Sequence, residues 1–80
     1  MMIITRNDVA TLRDIDKHFL RKWCIVELKN GSKKRVFILD TDYEFTDDLL
    51  VIYNYDGSIV HGDDDFKLQD IHSIILDQQN

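Results

Sequence analysis

The chain has no proline, three glycines and a single cysteine, Cys24, among its 80 residues. One thiol excludes an internal disulfide and a cysteine-based zinc site, and its place in the apolar run Trp23-Cys24-Ile25-Val26 predicts a buried structural thiol. Without proline, low-complexity tracts or internal repeats, nothing marks a linker, so residues 1–80 read as one small domain. No apolar stretch is long enough for a signal-peptide core or a membrane span, and the opening Met1-Met2-Ile3-Ile4 gives way at once to polar residues. A cytoplasmic location is the simplest expectation. Bases are scarce in the second half: residues 40–80 hold only Lys67 against eleven acids, whereas residues 1–39 hold nine bases against four acids. The net charge of −5 therefore hides a dipolar chain, able to steer a charged partner or its own copies.

What is present is 44% hydrophobic and 31% charged residues, the balance of a packed globule. Thr5-Arg6-Asn7-Asp8 has the spacing that starts helices, with Thr5 or Asn7 as the cap and Asp8 in the first turn. Beyond it Val9, Leu12, Asp16, Phe19 and Leu20 share about 100° of helical arc, with Ile15 at the margin, while Arg13, Asp14, Lys17 and Arg21 lie opposite. An amphipathic helix over about 6–20 follows. Strands are expected over about 22–29 and 33–40, joined at the hairpin signal Asn30-Gly31. Residues 40–48 are mostly polar and acidic and read as a loop. A strand over about 49–55, a tight turn at Asp56-Gly57 and a return strand over about 58–61 come next. Apolar spacing then changes from two to three, which predicts one helical turn near Leu68 to Ile71 before a last strand over about 72–76 and a tail over 77–80. The fold class is mainly β: an N-terminal helix on a strongly bent five-stranded antiparallel sheet or a small Sm-like or SH3-like barrel.

Glu27-Leu28-Lys29-Asn30-Gly31, followed by Lys67-Leu68-Gln69-Asp70-Ile71-His72-Ser73-Ile74, resembles the layout of the Rof family, acidic Sm-like inhibitors of the Rho terminator. The resemblance can span residues 7–76. It implies a protein that acts without catalysis by occupying a nucleic-acid-binding surface on a partner. The matching positions are a turn and a strand closure, so no functional residue transfers with it.

Trp23 to Val26, Val36 to Leu39 and Leu49 to Tyr53 are apolar without interruption. A half-exposed antiparallel strand alternates apolar and polar residues, so these runs require burial on two sides. Either the helix covers the second face, or a homo-oligomer or obligate protein partner does. Trp23, Phe37, Tyr53 and Tyr55 are the aromatic candidates for that contact, and Asp63, Asp64 and Asp65 offer a negative surface to a basic partner. The alternative is a nucleic-acid-binding Sm-like domain. In it the basic hairpin from Lys29 through Lys33, Lys34 and Arg35, backed by Lys17, Arg21 and Lys22, would neutralise phosphates, with Trp23 or Phe37 stacking on bases.

Chemistry beyond binding finds little support. Asp40, Asp42 and Glu44 alternate like the first ligands of a calcium loop, but Phe45 stands where its glycine belongs and Val51 where its bidentate glutamate belongs. His18, His61 and His72 share no metal-ligand spacing, and Asp70, His72 and Ser73 are too close in sequence to aim as a triad. Neither a metal nor a cofactor is expected, and the chain reads as a non-enzymatic binding or regulatory module.

Overall fold

The computed structural model describes residues 2–43 and 49–77. The chain runs through β1 (Met2–Ile3), α1 (Val9–Phe19), β2 (Trp23–Leu28), β3 (Lys33–Tyr43), β4 (Leu49–Asn54), β5 (Asp64–Lys67), a single 3-10 turn (Leu68–Asp70) and β6 (Ile71–Leu76). All pairings are antiparallel and the sheet is open, in the order β1-β6-β2-β3-β4-β5. The mainly β architecture with one helix is the one expected. Among the described residues there are six strands rather than five, because Met2–Ile3 pairs with Ser73 and Ile74. Two residues carry no periodicity, and this strand exists through tertiary pairing alone, with Ile4 donating to the His72 carbonyl at 2.9 Å and burying its side chain.

Helix α1 begins later than the sequence suggests. Asp8, not Thr5 or Asn7, is the cap: its carboxylate accepts from the Thr11 amide at 3.0 Å and from the Thr11 hydroxyl at 3.2 Å. Leu12, Ile15 and Phe19 drive into the core, and Ile15 is fully buried although it lies at the margin of the apolar arc. The polar residue in the stripe, Asp16, finds its partner in β3, where the Thr41 hydroxyl donates to it at 2.6 Å. That bond ties the helix to the sheet where an apolar contact would otherwise be needed. The helix ends at Phe19 with Leu20 as an extended cap, and Arg21 in the following turn takes φ 57°, a left-handed conformation that strains a side chain with a Cβ. Among the described residues no helix is long and apolar enough to cross a membrane.

The hairpin at Asn30-Gly31 forms as expected: Gly31 takes φ 93°, and the Asn30 side chain accepts from the Ser32 amide at 2.9 Å. Strand β3 runs past residue 40 to Tyr43, so the expected loop shrinks, and its residues 44–48 lie outside those described. The register of β3 on β4 shifts between Ile38 and Asp40, leaving Leu39 as the inserted residue of a bulge. The four consecutive apolar residues fit because both faces are covered: Val36 and Ile38 join the core, while Phe37 meets Trp23 and Leu39 lies near Gly62. The core gathers Cys24, Val26, Val36, Ile38, Val51, Leu68, Ile71 and Ile74 under α1. Each such aliphatic side chain adds roughly 1.5–3 kcal/mol of burial.

One pairing differs outright. Residues 58–61 form no strand, and the partner of β4 is Asp64–Lys67, in the register Val51 to Phe66 and Tyr53 to Asp64. Ile59 and Val60 have strand propensity but no neighbour to pack on, and propensity without a half-buried surface does not make a strand.

Because the hydrogen bond from the Thr11 amide holds the Asp8 carboxyl below its ordinary range, its cap adds stability above the unfolded carboxyl pKa. That stability fades as pH falls through the lower folded value. Asp8→Ala is expected to lower the melting temperature at neutral pH, with the gap from the native chain closing in acid below about pH 4. Asp8→Asn is expected to keep much of the cap and lose this pH dependence. Melting curves from pH 2 to 7 check both.

Candidate functional site

Both faces of the sheet lose water, but not in the way the apolar runs alone suggest. Helix α1 shares the main core with Val26, Val36 and Ile38, so it covers the inner face. Trp23 and Phe37, directly opposite each other on β2 and β3, lie outside that core cluster. They meet edge to face with centroids 5.6 Å apart. The Arg35 guanidinium sits 4.2 Å from the Trp23 ring centroid and pairs with Asp77. The remaining cover is the loop between β4 and β5. Its Gly57 lies so near the Trp23 ring that a Cβ would stand 3.3 Å away, and a Cβ on Gly62 would stand 2.4 Å from Ile52. The chain thus folds its own loop over part of the second face, while Trp23, Ile25, Ile52 and Ile75 stay half-buried.

One buried side chain holds this loop. Asn54, fully buried at the end of β4, donates through Nδ2 to the carbonyls of Ser58 at 2.8 Å and His61 at 2.9 Å, and accepts at Oδ1 from the Gly57 amide at 2.9 Å. Gly57 supplies the left-handed turn, φ 77°. The Asp56 carboxylate accepts from the Ser58 amide at 3.0 Å, and the Ser58 hydroxyl accepts from the Val60 amide at 3.1 Å. At the loop's exit the Asp63 amide donates to the Tyr53 carbonyl at 2.9 Å, while its carboxylate accepts from the Tyr55 amide at 3.2 Å. His61 Nε2 lies 3.2 Å from Asp56 and 3.9 Å from Asp63. Closed ends and packing by its own side chains make this an Ω-type loop, a form of surface loop often used for function.

What the loop presents is apolar. Ile59 is 63% exposed and Val60 85% exposed, lying between the two carbonyls that Asn54 holds. Asp56, Asp63, Asp64 and Asp65 flank them in the chain. The result is an apolar knuckle whose backbone is held by hydrogen bonds, with acids before and after it in the chain.

The expected contact residues divide. Tyr53 is core, stacked on Phe66 at 4.2 Å, and its burial, the Tyr55 hydroxyl and the nearby Asp64 and Asp65 carboxylates push its phenol pKa up. Tyr55 is exposed, its ring edge-on to Tyr53 at 5.5 Å, and with Asp63 it belongs to the loop. Asp64 and Asp65 lie exposed on the edge strand β5. Phe37 is only 8% exposed, and Trp23 already carries Arg35 on its ring. Lys29, Lys33 and Lys34 are exposed on the first hairpin, while Trp23 is half-buried and Phe37 buried. Burial pushes the Cys24 thiol up to about 12, so it stays neutral. His72 is exposed on β6, while Ser73 beside it is buried and its hydroxyl meets Glu27 at 3.5 Å. Among the described residues no three His, Cys, Asp or Glu side chains form a metal-binding group. Sequence reading missed Asn54, Ile59 and Val60. The signal was an asparagine closing an apolar run just ahead of Asp56-Gly57, which is a loop-capping pattern as much as a hairpin.

Protein-family models, curated proteins and solved structures were compared with this chain, and none matches it.

Two substitutions test the construction of the loop. Asn54→Ala removes the partner of two carbonyls and one amide, and is expected to cost about 2–4 kcal/mol in denaturant unfolding and to speed amide exchange over residues 57–61. Gly62→Ala drives a methyl group into Ile52 and is expected to cost about 1–3 kcal/mol, partly recovered in the double variant with Ile52→Ala.

Proposed function

We propose that this chain is a small non-enzymatic binding or regulatory module that works by protein contact, with the loop of residues 55–63 as its contact element. The observation that carries this reading is the exposure of Ile59 and Val60 on a loop whose backbone a buried asparagine holds in place. A preset loop gives up little conformational entropy on binding, so the apolar area it buries goes more fully into affinity. Tyr55 beside it adds a ring with a polar tip. The acidic flank Asp56, Asp63, Asp64 and Asp65 suits a partner whose apolar seat is bordered by positive groups, and would speed their encounter.

The strand order β6-β2-β3-β4-β5, with a 3-10 turn leading into β6, supports an Sm-like barrel class and fits the Rof-like layout. A second copy of the chain is one form the partner can take. Strand pairing is a poor route to it, since β1 occupies the β6 edge and Asp64 and Asp65 put charge on the β5 edge. The loop and the half-buried outer residues Ile25 and Ile75 are the better route. Nucleic-acid binding along Lys29 to Arg35 has less support, because Arg35 is engaged with Trp23 and Asp77.

The paired variant Ile59→Ser with Val60→Ser changes only exposed side chains and is expected to melt like the native chain. Affinity capture from the native cell is expected to retain a protein on the native chain that is lost on the variant. Light scattering after size exclusion identifies the case in which the partner is a second copy, by a dimer that the variant dissolves. Identical captures with both chains, together with a monomer in each, would remove the proposal.

A further inference from the structure

On the side of the molecule formed by α1 and β6 lies a second feature, independent of the loop: a groove of about 680 Å³ between the C-terminal half of α1 and the end of β6. Met2, Phe19 and Leu76 give it apolar surface, Ile75 borders it from β6, and its polar lining is Asp14, Lys17, His18 and Lys22. The volume falls within the roughly 300–1,000 Å³ typical of small-molecule sites. Asp14, Lys17 and His18 recur at helical spacing of three and four, so α1 offers them along one wall. Among the described residues neither Lys17 nor Lys22 forms an ion pair, whereas Arg35 does. The Lys22 ammonium reaches only the His18 carbonyl, at 3.5 Å. Cations near the last carbonyls do offset the negative end of the helix. That role leaves unexplained the opening between them, which reaches the buried ring of Phe19. With two ammonium groups and one carboxylate at the rim, the balance of charge favours an anion.

We infer that this groove binds an anionic amphiphile, a carboxylate or phosphate on an alkyl chain, with Lys17 and Lys22 holding the headgroup and Met2, Phe19 and Leu76 receiving the chain. The probes are hexanoate, octanoate and decanoate, each below its micellar concentration, followed by amide shifts of the full chain. Shifts are expected at the lining residues, with affinity rising about three- to fourfold per added methylene until the groove is full. The double variant Lys17→Gln, Lys22→Gln is expected to melt like the native chain and to bind decanoate about tenfold more weakly. Decyltrimethylammonium is expected to leave the lining residues unshifted. Vesicles of phosphatidylglycerol separate the two sources of such a headgroup: sedimentation lost in the double variant assigns a membrane lipid, and decanoate binding without sedimentation assigns a free amphiphile. Affinity that ignores chain length, survives the double variant unchanged or is matched by the cationic probe overturns the inference.

Discussion

An antiparallel strand with consecutive apolar residues must lose water on both faces, and 80 residues leave too little chain for a full second layer. The structure meets this constraint with unequal covers. A regular element, α1, takes the inner face, where Leu12, Ile15 and Phe19 join the strand residues in one cluster. The outer face at Trp23, Phe37 and Ile52 receives an arginine and an irregular loop. An irregular segment can lie on an apolar surface only if its backbone polar groups are paired, and this demand falls on Asn54. The buried amide is therefore a consequence of the apolar runs, and the shape of the exposed loop is a consequence of the amide.

Much of this chain could be read before any coordinates. The Asn30-Gly31 hairpin, the amphipathic stripe from Leu12 to Phe19 and the short helical turn before β6 are local signals, and each formed near its expected place. What could not be read was non-local. β1 depends on an edge of β6 some seventy residues away in the chain, and β5 reads as Asp64-Asp65-Phe66-Lys67, with a single apolar residue to announce it. Ile59 and Val60 misled because β-branched residues favour strands when half-buried, and here they stand in water. Of the candidate contact residues, Tyr55 and Asp63 lie in the loop, while Tyr53 and Phe37 are buried in the fold. Aromatic identity alone does not separate the two roles.

The charge split in the sequence has a structural counterpart at the level of elements. The bases Lys29, Lys33, Lys34 and Arg35 gather on the first hairpin, and Asp56, Asp63, Asp64 and Asp65 on the loop and edge strand after β4. They belong to different strand connections, so few of the opposite charges neutralise one another: Arg35 meets Asp77, beyond the acidic loop. Acids on β5 also guard an open sheet edge, since charged side chains there make pairing with another strand costly. The same carboxylates thus discourage association through the backbone and give the proposed contact loop its negative flank.

Single exposed aliphatic residues are ordinary on protein surfaces, and Ile3 at 51% exposure needs no function. Ile59 and Val60 differ in their setting. A loop free to move could turn two neighbouring apolar side chains toward the protein and recover some burial. This one cannot do so while Asn54 holds the carbonyls on either side of them and the Ser58 hydroxyl accepts from the Val60 amide. The polar network that shelters the outer face also fixes the knuckle in water, where its side chains gain nothing for the isolated fold. A partner that buries the pair would recover roughly 1.5–3 kcal/mol for each side chain, without first having to order the loop.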